Sequence, residues 1–151
     1  MKRLAIVYHS QSGATRSLAL AAAAGARLEE DVEVRCVPAL EADTALLLWA
    51  DGIIFGSPEN LGYLSGGLKD FFDRTFYTAA GKVDNKPYAV LISAGNDGSN
   101  ALRQLQRIVS GYHLKAVAEP LIVKGEPDDD ARERAGELGQ TLAAGLSLGI
   151  F

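Results

Sequence analysis

Short unbroken apolar runs alternate along this chain with longer stretches in which apolar residues recur every three to four positions. The first run is Leu4–Tyr8, and similar runs cover Val32–Val37, Gly52–Phe55, Tyr88–Ser93 and Ala116–Val123. Continuous, β-branched runs of this length suit strands buried on both faces, as parallel strands are. The last run contains Pro120, which has no N–H to give to a ladder, so this strand is expected at a sheet edge or bulged at the proline. Between the runs, Leu18, Ala21, Ala22, Gly25 and Leu28 share one helical face. So do Leu68, Phe71, Phe72 and Thr75, and then Leu102, Leu105, Ile108, Val109 and Tyr112. A fourth stripe is Ala131, Ala135, Leu138 and Leu142, preceded by Asp128, Asp129 and Asp130, whose charge complements a helix N-terminus. A shorter helix is expected over Glu41–Trp49.

Strand and helix alternate to five of each. That order predicts an α/β fold: a doubly wound parallel sheet with helices on both faces and right-handed crossovers. No repeat, low-complexity segment or linker interrupts residues 1–151, so one domain is expected from end to end.

Composition narrows the function classes. The hydrophobic fraction is 48% and the charged fraction 23%, both ordinary for a globular chain. The net charge of -4 without a basic patch argues against nucleic acid as a partner. No apolar stretch approaches the roughly 20 residues that span a bilayer. Leu4–Tyr8 is too short for the core of a signal peptide and is broken by His9, Ser10 and Gln11. The lone Cys36 rules out an internal disulfide and a cysteine metal site, reads as a small core residue, and fits a cytoplasmic setting.

Ligands of open α/β sheets bind beyond the carboxyl ends of the strands. Three loops there carry candidate chemistry. The first holds Ser10, Gln11, Ser12, Gly13, Ala14 and Thr15 and opens a helix. Unpaired amides at a helix start, with hydroxyls beside them, make a phosphate cradle that needs no cation. A helix simply capped by Ser12 would use the same groups. Arg16 is expected to face solvent. The second loop, Gly56 to Gly67, includes Ser57, Pro58, Glu59, Asn60, Leu61, Gly62 and Tyr63. Glu59 reads either as a functional carboxylate or as a solvated loop residue, and Ser65 as a helix N-cap. The third loop holds Ser93, Ala94, Gly95, Asn96, Asp97 and Gly98, small residues able to wrap a flat heterocycle, with Asp97 or Ser99 as an alternative helix cap.

The run Ser10, Ser12, Gly13, Thr15 resembles the flavodoxin phosphate loop. Gly56, Ser57, Pro58 through Gly62, followed by Ser65, Gly66, Leu68, Lys69, Phe71, Asp73 and Arg74, is similar to the second signature of FMN-dependent NAD(P)H oxidoreductases, including quinone reductases of the tryptophan-repressor-binding-protein type. Ser93, Ala94 and Gly95 fit the third loop of that group. The resemblance implies a flavodoxin-like five-stranded sheet of order 2-1-3-4-5 with FMN at the switch point, as in flavodoxin itself. It implies the phosphate at Ser10–Thr15 and the ring between Pro58–Tyr63 and Ser93–Ser99. NAD(P)H is the implied electron donor, and a quinone, another small acceptor or a redox protein the implied recipient. Relatives often carry an aromatic residue where Leu61 stands, and the chain has little room for the tetramer-forming segments of the quinone reductases, which puts a tetramer in doubt; a homodimer is the assembly considered. A flavodoxin-type carrier between protein partners is the alternative. A flavin-free response-regulator-like domain would need acidic residues after the first strand, where serines stand. His9 and His113 are open candidates for reaching the flavin. Trp49 reads as packing.

Overall fold

A computed structural model describes residues 1–151. The first strand, β1, spans Lys2–Tyr8, followed by α1 (Ala14–Ala26), β2 (Val32–Pro38), α2 (Thr44–Trp49) and β3 (Gly52–Asn60). Then come β4 (Tyr63–Leu64), α3 (Gly66–Ala79), β5 (Pro87–Ala94), α4 (Ser99–Gly111), β6 (Lys115–Ala116), β7 (Leu121–Lys124) and α5 (Asp129–Ser147). The sheet runs β2-β1-β3-β5-β6, with β7 also on β5 and all five positions parallel. This is the expected 2-1-3-4-5 order, the fifth position being shared by β6 and β7.

That fifth strand differs from the single run expected over Ala116–Val123. Two short pieces replace it, and Pro120 lies in the gap between them. The proline thus breaks the edge strand rather than bulging it.

Alternation along the strands sorts the core. Leu4, Ile6, Ile54, Ala89 and Leu91 face α1 and α5. Ala5, Val7, Ile53, Phe55, Val90 and Ile92 face α2, α3 and α4. The α1–α5 pair packs backbone to backbone: a Cβ placed on Gly139 would lie 1.9 Å from the Ala22 carbonyl oxygen. The first helical stripe ends earlier than the pattern predicts. The helix stops at Ala26, and Leu28 is 67% exposed. The short helix likewise begins at Thr44 rather than Glu41, because the Asp43 carboxylate accepts from the Leu46 N–H and caps it there.

Cys36 is partly buried and packs against the cluster that includes α1, as expected of a small apolar residue, and burial pushes its thiol up to about 11. Arg35 and Arg3 lie over the Trp49 ring, the former at 4.1 Å from its centroid.

Candidate functional site

Every parallel strand ends on the same edge, and the loops leaving it form one cleft of about 370 Å³. Ser12 and Ala14 line it from the first loop, Pro58, Glu59 and Asn60 from the second, and Ser93, Ala94 and Gly95 from the third. The structure therefore brings together residues from all three loops singled out in the sequence. Gly125 and Glu126 also line the cleft. They are not among the candidates drawn from the sequence, although they leave the carboxyl end of β7 and obey the same rule as the other loops.

Helix α1 starts at Gly13, whose φ of +104° a glycine adopts without strain. No side chain caps it in the usual way, so the capping role considered for Ser12 is not observed. Instead the Ser10 hydroxyl accepts from the N–H groups of Gly13 and Arg16, each at 3.2 Å. The Ser17 N–H bonds the Gly13 carbonyl. That leaves the Ala14 and Thr15 amides, at the positive end of the helix dipole, as unpaired donors, and Ala14 lines the cleft. Arg16 is exposed, as expected.

The second loop is more ordered than its sequence suggests. Strand β3 runs on through Pro58 to Asn60, pairs with β5 on one side (Pro58 opposite Ser93), and turns back into β4. The turn is Leu61–Gly62, with φ of +51° and +73°, the two positive values of a tight hairpin turn. Leu61 at its tip is fully exposed and Tyr63 partly so. Ser65 caps α3 as expected, accepting from the Leu68 N–H at 3.2 Å.

Side chains tie the loops to one another pairwise. Gln11 Oε1 accepts from Asn60 Nδ2 at 2.9 Å, joining the first to the second. The buried hydroxyls of Thr15 and Ser93 share a 2.8 Å hydrogen bond, joining the first to the third. Glu59 joins the second to the third: its Oε1 accepts from the Gly98 N–H at 3.0 Å and its Oε2 from the Ala101 N–H at 3.2 Å. Asn100 Nδ2 adds a hydrogen bond to the Gly62 carbonyl. Glu59 is thus neither a solvated loop residue nor a carboxylate free for chemistry, the two alternatives read from the sequence. Helix α4 accordingly begins with Gly98 at the N-cap and no side-chain cap of its own, against the expected Asp97 or Ser99. Asp97 accepts from the Ser99 N–H and hydroxyl instead.

Ser57, also buried, spends its hydroxyl on the frame: it donates to the Pro58 carbonyl and accepts from the Ser65 N–H. The histidines part company. His9 follows β1 and packs its ring against Gly67 of α3, with Nδ1 buried and unpaired. His113 lies at the opposite end of the sheet, where its carbonyl accepts from the Asn85 N–H and its Nδ1 is 3.7 Å from an Asp84 oxygen. It is therefore remote from the cleft.

The donor set suits a phosphorylated flat heterocycle. Helix-start amides and the Ser12 hydroxyl offer an anion site with no carboxylate in that loop. The wall opposite Pro58–Asn60 is Ala94 and Gly95, and a Cβ on Gly95 would touch nothing within 4 Å. The volume falls within the roughly 300–1,000 Å³ of small-molecule sites. No helix is long and apolar enough to cross a membrane.

Comparison with known proteins gives the family. The family model described as NADPH-dependent FMN reductase matches residues 28–126. A flavodoxin from Aquifex aeolicus is 29% identical, over 98% of this chain and 89% of its own length. An NAD(P)H dehydrogenase (quinone) from a Chelativorans species is 29% identical, over 93% of this chain and 82% of its own. Among solved structures, a flavodoxin from the domain Archaea superposes with a TM-score of 0.86 at 20% identity, covering 96% of this chain and 99% of that one, a likeness of fold. The chain belongs to the NADPH-dependent FMN reductase family, with FMN as its cofactor.

Proposed function

We propose that this member of an FMN-dependent oxidoreductase family holds FMN in the cleft and passes electrons from NAD(P)H to a quinone or similar small acceptor. The observation that carries the reading is the set of three loops, tied pairwise, around the free amides at the start of α1. The Ala14 and Thr15 amides, with Ser12, would hold the phosphate. Pro58, Glu59 and Asn60 on one side and Ala94 and Gly95 on the other would flank the ring. Bound FMN would supply the redox chemistry, hydride acceptance from a reduced nicotinamide and electron delivery to the acceptor. The protein's part is to orient both partners and shield the ring. Glu59 is not assigned as a general base, because both of its oxygens already accept backbone hydrogen bonds. The single, partly buried Cys36 is consistent with our placing the protein in the cytoplasm.

The test begins by loading the protein with FMN, desalting it, and recording the visible spectrum. Near one equivalent of retained flavin, bleached by NADPH or NADH without oxygen and reoxidised by a quinone, is the expected result. Loss of all flavin, or no bleaching by either nucleotide, overturns it. The full-length match to the Aquifex aeolicus flavodoxin favours a second reading, a carrier between redox proteins. A carrier would reduce a protein partner at rates that fall with added salt, and it would leave quinones untouched.

A further inference from the structure

We infer that Glu59 is a positioning residue: its carboxylate latches the β3–β4 hairpin to the start of α4 and thereby sets the spacing of the two loops that flank the cofactor. The inference rests on the cleft being the FMN site.

The N-cap residue of α4, Gly98, offers no side-chain cap, and the neighbouring Asp97 reaches only the Ser99 N–H and hydroxyl. Gly98 has a φ of +87°, and a Cβ there would lie 2.8 Å from Ile122, so the position cannot carry the serine or aspartate that usually caps a helix. The first turn also holds no acidic residue. Two of its amides, those of Gly98 and Ala101, are instead satisfied by the two oxygens of one carboxylate borne on β3. A carboxylate accepting from amides at a helix N-terminus is favoured by charge as well as by hydrogen bonding. Because Glu59 lines the cleft while bonding away from it, its contribution to a ligand is geometric. Asn100 makes a second tie in the same direction, from α4 to the Gly62 carbonyl at the hairpin turn. With both in place the walls are held apart before any ligand arrives, which removes an ordering cost from binding.

Two variants separate latch from charge. In Glu59→Gln the side chain keeps its size, but one of its two acceptors becomes an N–H donor facing an amide. Asn100→Ala cuts the other tie with no change of charge. Amide hydrogen exchange of the FMN-free protein reads the latch directly. We expect Gly98 and Ala101 to be protected in the unaltered protein and at least one of them to exchange faster in Glu59→Gln, while the core of β1 and β5 is unchanged. FMN titration by fluorescence quenching should show binding roughly tenfold weaker in each variant. Unchanged exchange at both amides shows that the latch does not exist. Faster exchange with unaltered FMN affinity shows that it does not position the site. Weakening in Glu59→Gln but not in Asn100→Ala assigns the effect to charge and also overturns the proposal. Failure of the unaltered protein to bind FMN is a different result: it removes the FMN reading while the exchange data still decide the latch.

Discussion

Tyr112 shows how much one buried hydroxyl can be made to report. It ends α4, is 3% exposed, donates from Oη to the Phe72 carbonyl at 2.7 Å and shares a 2.9 Å hydrogen bond with Thr75. Burial pushes its phenol from 10.0 up to about 12, only partly offset by the Thr75 hydrogen bond. Between those values the unfolded chain gives up the proton while the folded one keeps it, so the native state binds more protons and stability falls as pH rises. The full stability from this group is present below pH 10 and is lost as pH climbs toward 12, an effect of roughly 2–3 kcal/mol. Burial pushes Tyr88 the same way. Lys86 is shifted down by its own burial and acts with the opposite sign, so the unaltered protein shows only a net slope. The difference between it and Tyr112→Phe isolates the one group. Urea denaturation at pH 8 should find Tyr112→Phe less stable by about 1 kcal/mol. At pH 11 that gap should shrink or reverse, and a gap that stays constant would mean the phenol titrates normally. The sequence identifies Tyr112 as the end of a helical stripe, but its two hydroxyl partners come from α3, about forty residues away, and no local pattern encodes them. Glu59 is the same case at the cleft: its type and place in a loop are readable, its partners on α4 are not.

Elements whose identity rests on local periodicity are legible in the sequence; those whose form rests on a neighbour are not. All five apolar runs contain strands and all four stripes mark helices, with Leu28 and Tyr112 just past the ends of theirs, because burial on a sheet leaves its period in the sequence. The β3–β4 hairpin is hidden for two reasons. Pro58 argues against a strand, and Leu61–Gly62 lacks the asparagine that usually announces such a turn. Hydrophobicity alone assigns Leu28 to the first helix, yet α1 has already turned away at Arg27. The α1–α5 contact is a further example, since Gly136 and Gly139 look alike in sequence and differ sharply in surroundings. A Cβ on Gly139 would be 1.9 Å from the Ala22 carbonyl, whereas on Gly136 its nearest neighbour is the Ala21 carbonyl at 3.5 Å, an ordinary contact. Gly139→Ala must push the two helices apart and should lose about 1–3 kcal/mol. Gly136→Ala keeps the spacing and gains the helix preference of alanine, up to about 1 kcal/mol. Denaturant midpoints of the two variants should therefore move in opposite directions. A shift of the same sign in both would show that this crossing is not close-packed.

For the whole molecule, one sheet shares its two faces between two apolar clusters, so neither cluster can be dismantled without exposing the other. We propose on that ground that residues 1–151 form one cooperative unit, with a single thermal transition by both far-UV and aromatic signals. The cleft sits where the two faces meet, at the strand ends. A ligand there bonds loops that emerge from β1, β3, β5 and β7 together and should stabilise the whole unit rather than one part of it. At a hundredfold excess over its dissociation constant, a ligand specific for the folded state adds about 2.7 kcal/mol. For a chain of this size that raises the melting temperature by roughly 5–10 °C. FMN should produce such a shift in a single, still cooperative transition. Riboflavin has the same ring without the phosphate, and at the same concentration it should produce much less, because the amides of Ala14 and Thr15 then have no anion to meet. Equal shifts from the two would place the binding energy in the ring-flanking loops and leave the start of α1 as a helix terminus and nothing more. Two separate transitions, with only one of them moved by FMN, would divide the chain into units that the shared sheet says it does not have.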